Sequence, residues 1–249
     1  MKKRVSILLL FLLVGTTISA TNCVRRVPQQ KGMALPGQLL ADEQELSDRG
    51  KVLRKAFEIE IIKPKPVYRQ RITVKQLLTG MDMVYTLDCS GFVFAVFKSA
   101  AVGGFDALTA TSGGENGVKI IYKALEKSKK IYRKKIPNVA DIIFFDNTYD
   151  SNKNGKIDDA LTHVGIVISV DDNGTITFIH SSVSGGVTRD RVNLFHRDKQ
   201  TLNGVTINSN VRVWKATDAP ETRYLAGELI NAFGTVFAVP QGRKNFGEN

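Results

Sequence analysis

The chain has 249 residues, of which 43% are hydrophobic and 24% charged. This is ordinary globular composition, which excludes a disordered or fibrous chain and leaves room for one substantial domain with extensions. The formal charge is +11, and losing Lys2, Lys3 and Arg4 with a leader leaves +8 (11 minus 3). Such a surface attracts polyanions, for example anionic headgroups or acidic envelope polymers. No basic-aromatic interleaving accompanies the charge, so nucleic acid is not an expected partner.

The amino terminus carries an address. Lys2, Lys3 and Arg4 precede an apolar run from Ser6 to Val14, and Gly15 to Ala20 are small or polar. That order is a secretory signal, assigned to residues 1–22. The apolar run falls short of the about 20 residues that a transmembrane helix needs. Cys23 follows directly and resembles the lipid-modified cysteine of bacterial lipoproteins. Asn22 stands where a small residue normally precedes that cysteine, and cleavage after Ala20 would instead release a soluble protein. The expectation is an exported protein of the cell envelope, held at the membrane through Cys23. The only other cysteine is Cys89, in a very different context. The two are read as unpaired, although export permits a disulfide.

Residues 23–45 hold Pro28, Gly32, Pro36 and Gly37 and read as a tether. Residues 46–240 form the expected domain, and 241–249 a tail. Glu43 to Phe57 has helical spacing, and Thr73 to Leu78 reads as a short helix capped by Thr73. Ser90 to Ala101 is an apolar helix with Cys89 in its first turn, and Gly103-Gly104 stops it. Val118 to Tyr132 is amphipathic. Strands are expected at Asp141–Phe145, His163–Val170 and Thr175–Ser181, with a turn at Asp171-Asp172-Asn173-Gly174. Asn210–Trp214 is a fourth expected strand, and Leu225–Phe233 a terminal helix. Helices followed by an antiparallel strand meander argue for an α+β fold.

A thiol at the amino end of a buried helix meets unpaired backbone N–H groups and the positive end of the helix dipole. Both lower a thiol pKa, and thiolate is the attacking species in acyl transfer. The Cys89 N–H is a candidate oxyanion donor. The chain has three histidines, His163, His180 and His196. His163 and His180 fall on neighbouring expected strands, where one imidazole can take the thiol proton and the other orient it. Each residue also has a plain structural reading, the cysteine as a small buried hydrophobe and the histidine as a strand-edge residue.

Three motifs in order decide between these readings. Asp88-Cys89-Ser90-Gly91-Phe92-Val93 resembles the nucleophile motif of the NlpC-type papain-like cell-wall peptidases. Ala140 to Phe145 with Thr162-His163-Val164-Gly165-Ile166-Val167 is similar to that family's strand and histidine motif. Phe178-Ile179-His180-Ser181-Ser182 with Gly186-Val187 is similar to its third polar site. The resemblance covers about residues 75 to 215 and implies a papain-like fold. It also implies hydrolysis of peptidoglycan stem peptides, usually at the bond between γ-linked D-glutamate and a diamino acid. Cys89 would be the nucleophile, His163 the general base and His180 the orienting group, with no cofactor needed for catalysis. The family's Gly-Gly pair before the nucleophile is absent here, and Tyr68 and Tyr85 both stand open for its tyrosine. The competing functions are a wall-binding lipoprotein of the same fold, and an amidase or acyltransferase using the same Cys/His pair.

One insert stands apart. From Asp150 to Asp159, oxygen-bearing side chains recur at Asp150, Asn152 and Asn154, a glycine follows at Gly155, and Asp158 comes ninth. This resembles the start of an EF-hand loop, with the Lys156 carbonyl as the seventh-position donor. Leu161 stands where the bidentate glutamate belongs, and Asp159 is a possible substitute. The expected ion is calcium, in a structural role. A polar hairpin is the alternative.

Overall fold

Ser47 opens the first helix, α1 (Asp48–Glu60), by accepting the Gly50 N–H on its hydroxyl at 3.2 Å. The computed structural model describes residues 47–106 and 116–240, all within the unit Ala34–Asn249. The signal segment, Cys23, the tether and the tail 241–249 lie outside the described residues. Among the described residues no helix is long and apolar enough to cross a membrane.

The segment read as a helix from Thr73 is instead a strand. β1 (Arg71–Lys75) pairs antiparallel with β2 (Asp82–Thr86), Arg71 opposite Thr86. Ile72 and Val74 turn inward while Arg71, Thr73 and Lys75 face out, a period of two. An isolated helix of six residues is costly to nucleate, whereas β-branched residues suit a half-buried strand.

α2 (Cys89–Ser99) starts one residue before its expected first position and is capped by Asp88. Phe92, Val93, Val96 and Phe97 are fully buried. Each such side chain contributes about 1.5–3 kcal/mol relative to exposure, so α2 is firmly placed. α3 (Gly117–Lys127) is shorter than expected. Lys129 adopts a left-handed φ of 55°, and the Lys130 N–H bonds the Leu125 carbonyl at 2.8 Å, closing the helix. This frees Ile131–Tyr132 to become strand β3.

The main sheet has six strands: β3 at one edge, then the strand Ile230–Gly234, then four strands consecutive in the chain. β4 (Ile142–Phe145), β5 (His163–Val170), β6 (Thr175–Ser182) and β7 (Gly186–Asn193) form an antiparallel meander. The turn after β5 is the expected one, with the Asp171 N–H on the Thr175 carbonyl. Two short strands, β8 (Thr201–Leu202) and β9 (Val205–Thr206), make a separate hairpin. Ile142 and Phe144 of β4 pack with α2 and α1, and Ile143 and Phe145 pack in a second cluster with Phe178, Val192 and Phe233.

Two further expectations fail. Asn210–Trp214 forms no strand, only a bridge from Asn210 to Leu225, and Val213 and Trp214 stay exposed. The terminal segment is a single helical turn, α4 (Ala226–Leu229), followed by strand β10 (Ile230–Gly234). β10 enters between β3 and β4, where its backbone finds partners on both sides. The fold is therefore α+β as expected, with strands between and after the helices as well as in the meander.

Candidate active site

The site begins with Asp88. Its Oδ1 accepts the Gly91 N–H at 2.7 Å and the Ser90 hydroxyl at 2.8 Å, fixing the first turn of α2. A side chain at Gly91 would collide with the Thr86 carbonyl, so only glycine lets the helix start this close to the end of β2. Cys89 thus sits at the first helical position, nearly buried, at a cleft of about 770 Å³.

His163, His180 and Tyr68 line the same cleft. His163 is the first residue of β5, and His180 lies on β6 one step beyond the Ile166–Ile179 pair. Gly165 lies beneath His180, and a side chain there would press on Phe178 and on the His180 Cβ at 3.2 Å. The Nε2 of His163 lies 2.7 Å from Nδ1 of His180, with the rings nearly perpendicular. His196 is not part of the cleft lining.

The chain of contacts extends one residue further than the sequence suggested. Nε2 of His180 lies 2.9 Å from Oδ2 of Asp190 on β7. Asp190 pairs with Phe178 and Thr188 with His180, so Asp190 is a diagonal cross-strand neighbour of His180. Sequence reasoning missed it because it assigned no strand to Gly186–Asn193. The signal was the hairpin itself, a second strand after Ser182 that returns a carboxylate beside His180.

The electrostatics correct one expectation. Burial, followed by the Asp88 carboxylate, pushes the Cys89 thiol up to about 12. Backbone N–H groups of Ser90, Val164 and Cys89 act the other way. The helix terminus is present, but desolvation and a neighbouring anion outweigh it. His163 keeps part of its surface open to the cleft, yet lies deep enough that burial, followed by His180, holds its pKa well below the usual 6.5. Thiol and imidazole are therefore both neutral near pH 7. Tyr68 is also pushed up to about 12, by burial first and then by Cys89 and Asp88. Tyr85 points elsewhere, with its hydroxyl on Met83 Sδ at 3.2 Å.

The insert forms the loop between β4 and β5. Asp150 accepts the Asn154 and Gly155 N–H groups, and Asp158 accepts the Asn152 and Asn154 side-chain amides. Among the described residues, no group of three or more His, Cys, Asp or Glu side chains is placed to hold a metal ion.

A thiol at a helix start, an imidazole lining the same cleft and a second imidazole anchored by a carboxylate are the groups a thiol-dependent acyl-transfer site uses. Residues 79–182 are similar to the CHAP domain, a family of cysteine/amidase peptidoglycan hydrolase domains related to the NlpC/P60-like papain-like enzymes. The match agrees with the NlpC-type resemblance at the level of related families. It spans Cys89, His163 and His180, while Tyr68 and Asp190 lie outside it. No curated protein and no solved structure matches the chain.

Proposed function

We propose that the chain is a papain-like cysteine endopeptidase of peptidoglycan that cleaves stem peptides at the γ-D-glutamyl-diamino acid bond. The observation that carries this reading is the line from His163 through His180 to Asp190, ending in the cleft that holds Cys89.

Proton bookkeeping supports it. Ionised Asp190 can only accept, so His180 donates from Nε2 and its Nδ1 is a bare acceptor. His163 then donates from Nε2 to His180, which leaves its own Nδ1 as the base for the thiol. In the reaction, the Cys89 proton passes to His163 as sulfur attacks the carbonyl carbon. The leaving amine takes that proton, and a thioester remains. Water, deprotonated by His163, then releases the acid and restores the thiol. The Cys89 N–H and the Tyr68 hydroxyl, both at the cleft, are the donors we assign to the developing oxyanion. His163 and Cys89 act on the substrate, and His180 and Asp190 are positioning residues. Export through the 1–22 signal and a lipid on Cys23 would bring this chemistry to the wall.

Digestion of purified peptidoglycan, with products identified by mass, tests the reading. Cleavage within the stem that leaves an amino group on the diamino acid is the expected result. Release of the whole stem from the glycan would make the enzyme an amidase, and no product at all would remove both activities.

A further inference from the structure

We propose that Arg69 is the specificity residue of the cleft and binds the free α-carboxylate of the γ-linked glutamyl residue of the substrate. The inference rests on the peptidase reading above and names what that cleft selects.

The placement starts from a turn. Val67 to Gln70 closes on itself, with the Gln70 N–H on the Val67 carbonyl at 3.1 Å and the Val67 N–H on the Gln70 side-chain oxygen at 3.0 Å. Tyr68 and Arg69 are its two corner residues, and both line the cleft. Arg69 takes a left-handed φ of 63°, uncommon for a residue with a side chain. Such a conformation persists only where the surroundings impose it, and it gathers at functional sites. Here the Arg69 N–H donates to the Leu87 carbonyl at 2.8 Å, and the Leu87 N–H donates to the Gln70 carbonyl at 2.9 Å. Leu87 is fully buried and stands just before Asp88 and Cys89. Gly186 of β7 packs so closely that a side chain there would collide with the Pro66 carbonyl. The backbone that carries Arg69 is thus tied to the backbone that carries the thiol.

Charge accounting singles out this side chain. The cleft lining holds two carboxylates, and both are engaged within the protein, Asp88 by the first turn of α2 and Asp190 by His180. It also holds three permanent cations, Arg69, Arg212 and Lys215. Arg212 is buried and paired with Asp218 at 2.6 Å. Lys215 also borders the crevice that contains Asp150 and Asp218, which offset its charge. Arg69 is exposed, and among the described residues no carboxylate pairs with it. Its guanidinium lies 5.6 Å from the centre of the Tyr68 ring, a cation–π distance that keeps it beside the tyrosine.

A guanidinium presents a planar fork of donors that matches a carboxylate. In a γ-linked bond the glutamyl residue keeps its α-carboxylate free, a short methylene arm from the scissile carbonyl. With the carbonyl oxygen held by Tyr68, that acid meets the other corner of the same turn. Amidation of the acid removes the charge and with it the match.

The test compares two soluble stem peptides, one with the glutamyl α-carboxylate free and one with it amidated. Wild type should cleave the acid about tenfold better in kcat/KM, through KM and not kcat, because the contact is the same in ground and transition states. Raising salt should shrink this preference, since the side chain is exposed. Arg69→Asn suits the left-handed turn and should lose about tenfold on the acid and nothing on the amide. Arg69→Lys should recover part of the preference, as a point charge without the fork. Both variants should keep the wild-type Tm. A wild type that cleaves both peptides equally, or an Arg69→Asn enzyme that slows equally on both, leaves the peptidase reading standing and overturns the role of Arg69. A wild type that cleaves neither removes that reading and this site with it.

Discussion

Asp190 Oδ2 lies 2.9 Å from Nε2 of His180, whose Nδ1 lies 2.7 Å from Nε2 of His163, so on the proposed mechanism Asp190 sets the proton pattern of both imidazoles. His180 is only 2% exposed, so its ring cannot turn to water for another partner. Replacing the acceptor with a donor would invert the pattern. In Asp190→Asn the amide can donate to Nε2, which moves the His180 proton to Nδ1 and the His163 proton to its Nδ1. The base is then blocked. We expect Asp190→Asn to lower kcat/KM by about 10²–10³-fold, more than Asp190→Ala, with Tm little changed. Equal activity in wild type and Asp190→Asn would show that Asp190 sets no tautomer.

The three residues nearest the chemistry should rank in a fixed order. On the proposed mechanism Cys89→Ala removes the nucleophile and should abolish turnover, while the small side chain keeps the cavity cost modest. His163→Ala removes the group that moves the proton, worth about 10²–10⁴-fold. His180→Ala leaves that group in place and should cost about 10–10²-fold. Peptidoglycan digestion and iodoacetamide labelling of the folded variants check the ranking. A His180 variant that loses more than the His163 variant would reverse the assigned roles.

Much of this site was legible because its determinants are local. Asp88, Cys89 and Gly91 announce a helix start by a capping side chain followed by an apolar run, and α2 begins there. His163 and His180 fall on strands whose boundaries alternation and the Asp171–Gly174 turn define. β7 was illegible for the opposite reason. Its Arg189-Asp190-Arg191 run looks like solvent-facing loop, because the groups that absorb its charge are distant in sequence. Arg189 makes two bonds of 2.6 and 2.7 Å with Glu60 of α1, and Asp190 is taken by His180. β10 was hidden likewise, since its strand character comes from insertion between β3 and β4. Asp190 was missed as a consequence of the missed strand.

Tyr68 and Tyr85 separate cleanly. Tyr68 lines the cleft, and a phenol pushed up to about 12 stays protonated at any working pH, ready to donate a hydrogen bond. A donor that meets charge only in the transition state acts on kcat. Tyr68→Phe should lower kcat about 10–10²-fold with KM nearly unchanged. Tyr85 does not line the cleft and its hydroxyl meets Met83, so Tyr85→Phe should leave kinetics unaltered. Steady-state kinetics on a soluble stem peptide distinguishes the two, and a Tyr68→Phe enzyme with full kcat would remove the hydroxyl from the oxyanion site.

The resting charge state makes the last prediction. Burial and Asp88 push the Cys89 thiol up to about 12, and burial and His180 hold His163 below 6.5. The sign follows directly: a raised thiol pKa keeps sulfur protonated at neutral pH, and thiolate grows with pH until that pKa is reached. Iodoacetamide reacts with thiolate. Its rate on Cys89 should therefore climb through pH 6–9, approaching tenfold per pH unit, without the plateau of a preformed thiolate–imidazolium pair. Asp88→Asn isolates the electrostatic part, because asparagine caps a helix about as well as aspartate but carries no charge. Removing that anion lowers the thiol pKa, so alkylation at pH 7 should become several-fold faster with Tm nearly unchanged. A plateau from pH 5 to 8 in the wild type, or an Asp88→Asn protein that alkylates no faster, would mean that the helix terminus governs Cys89 after all.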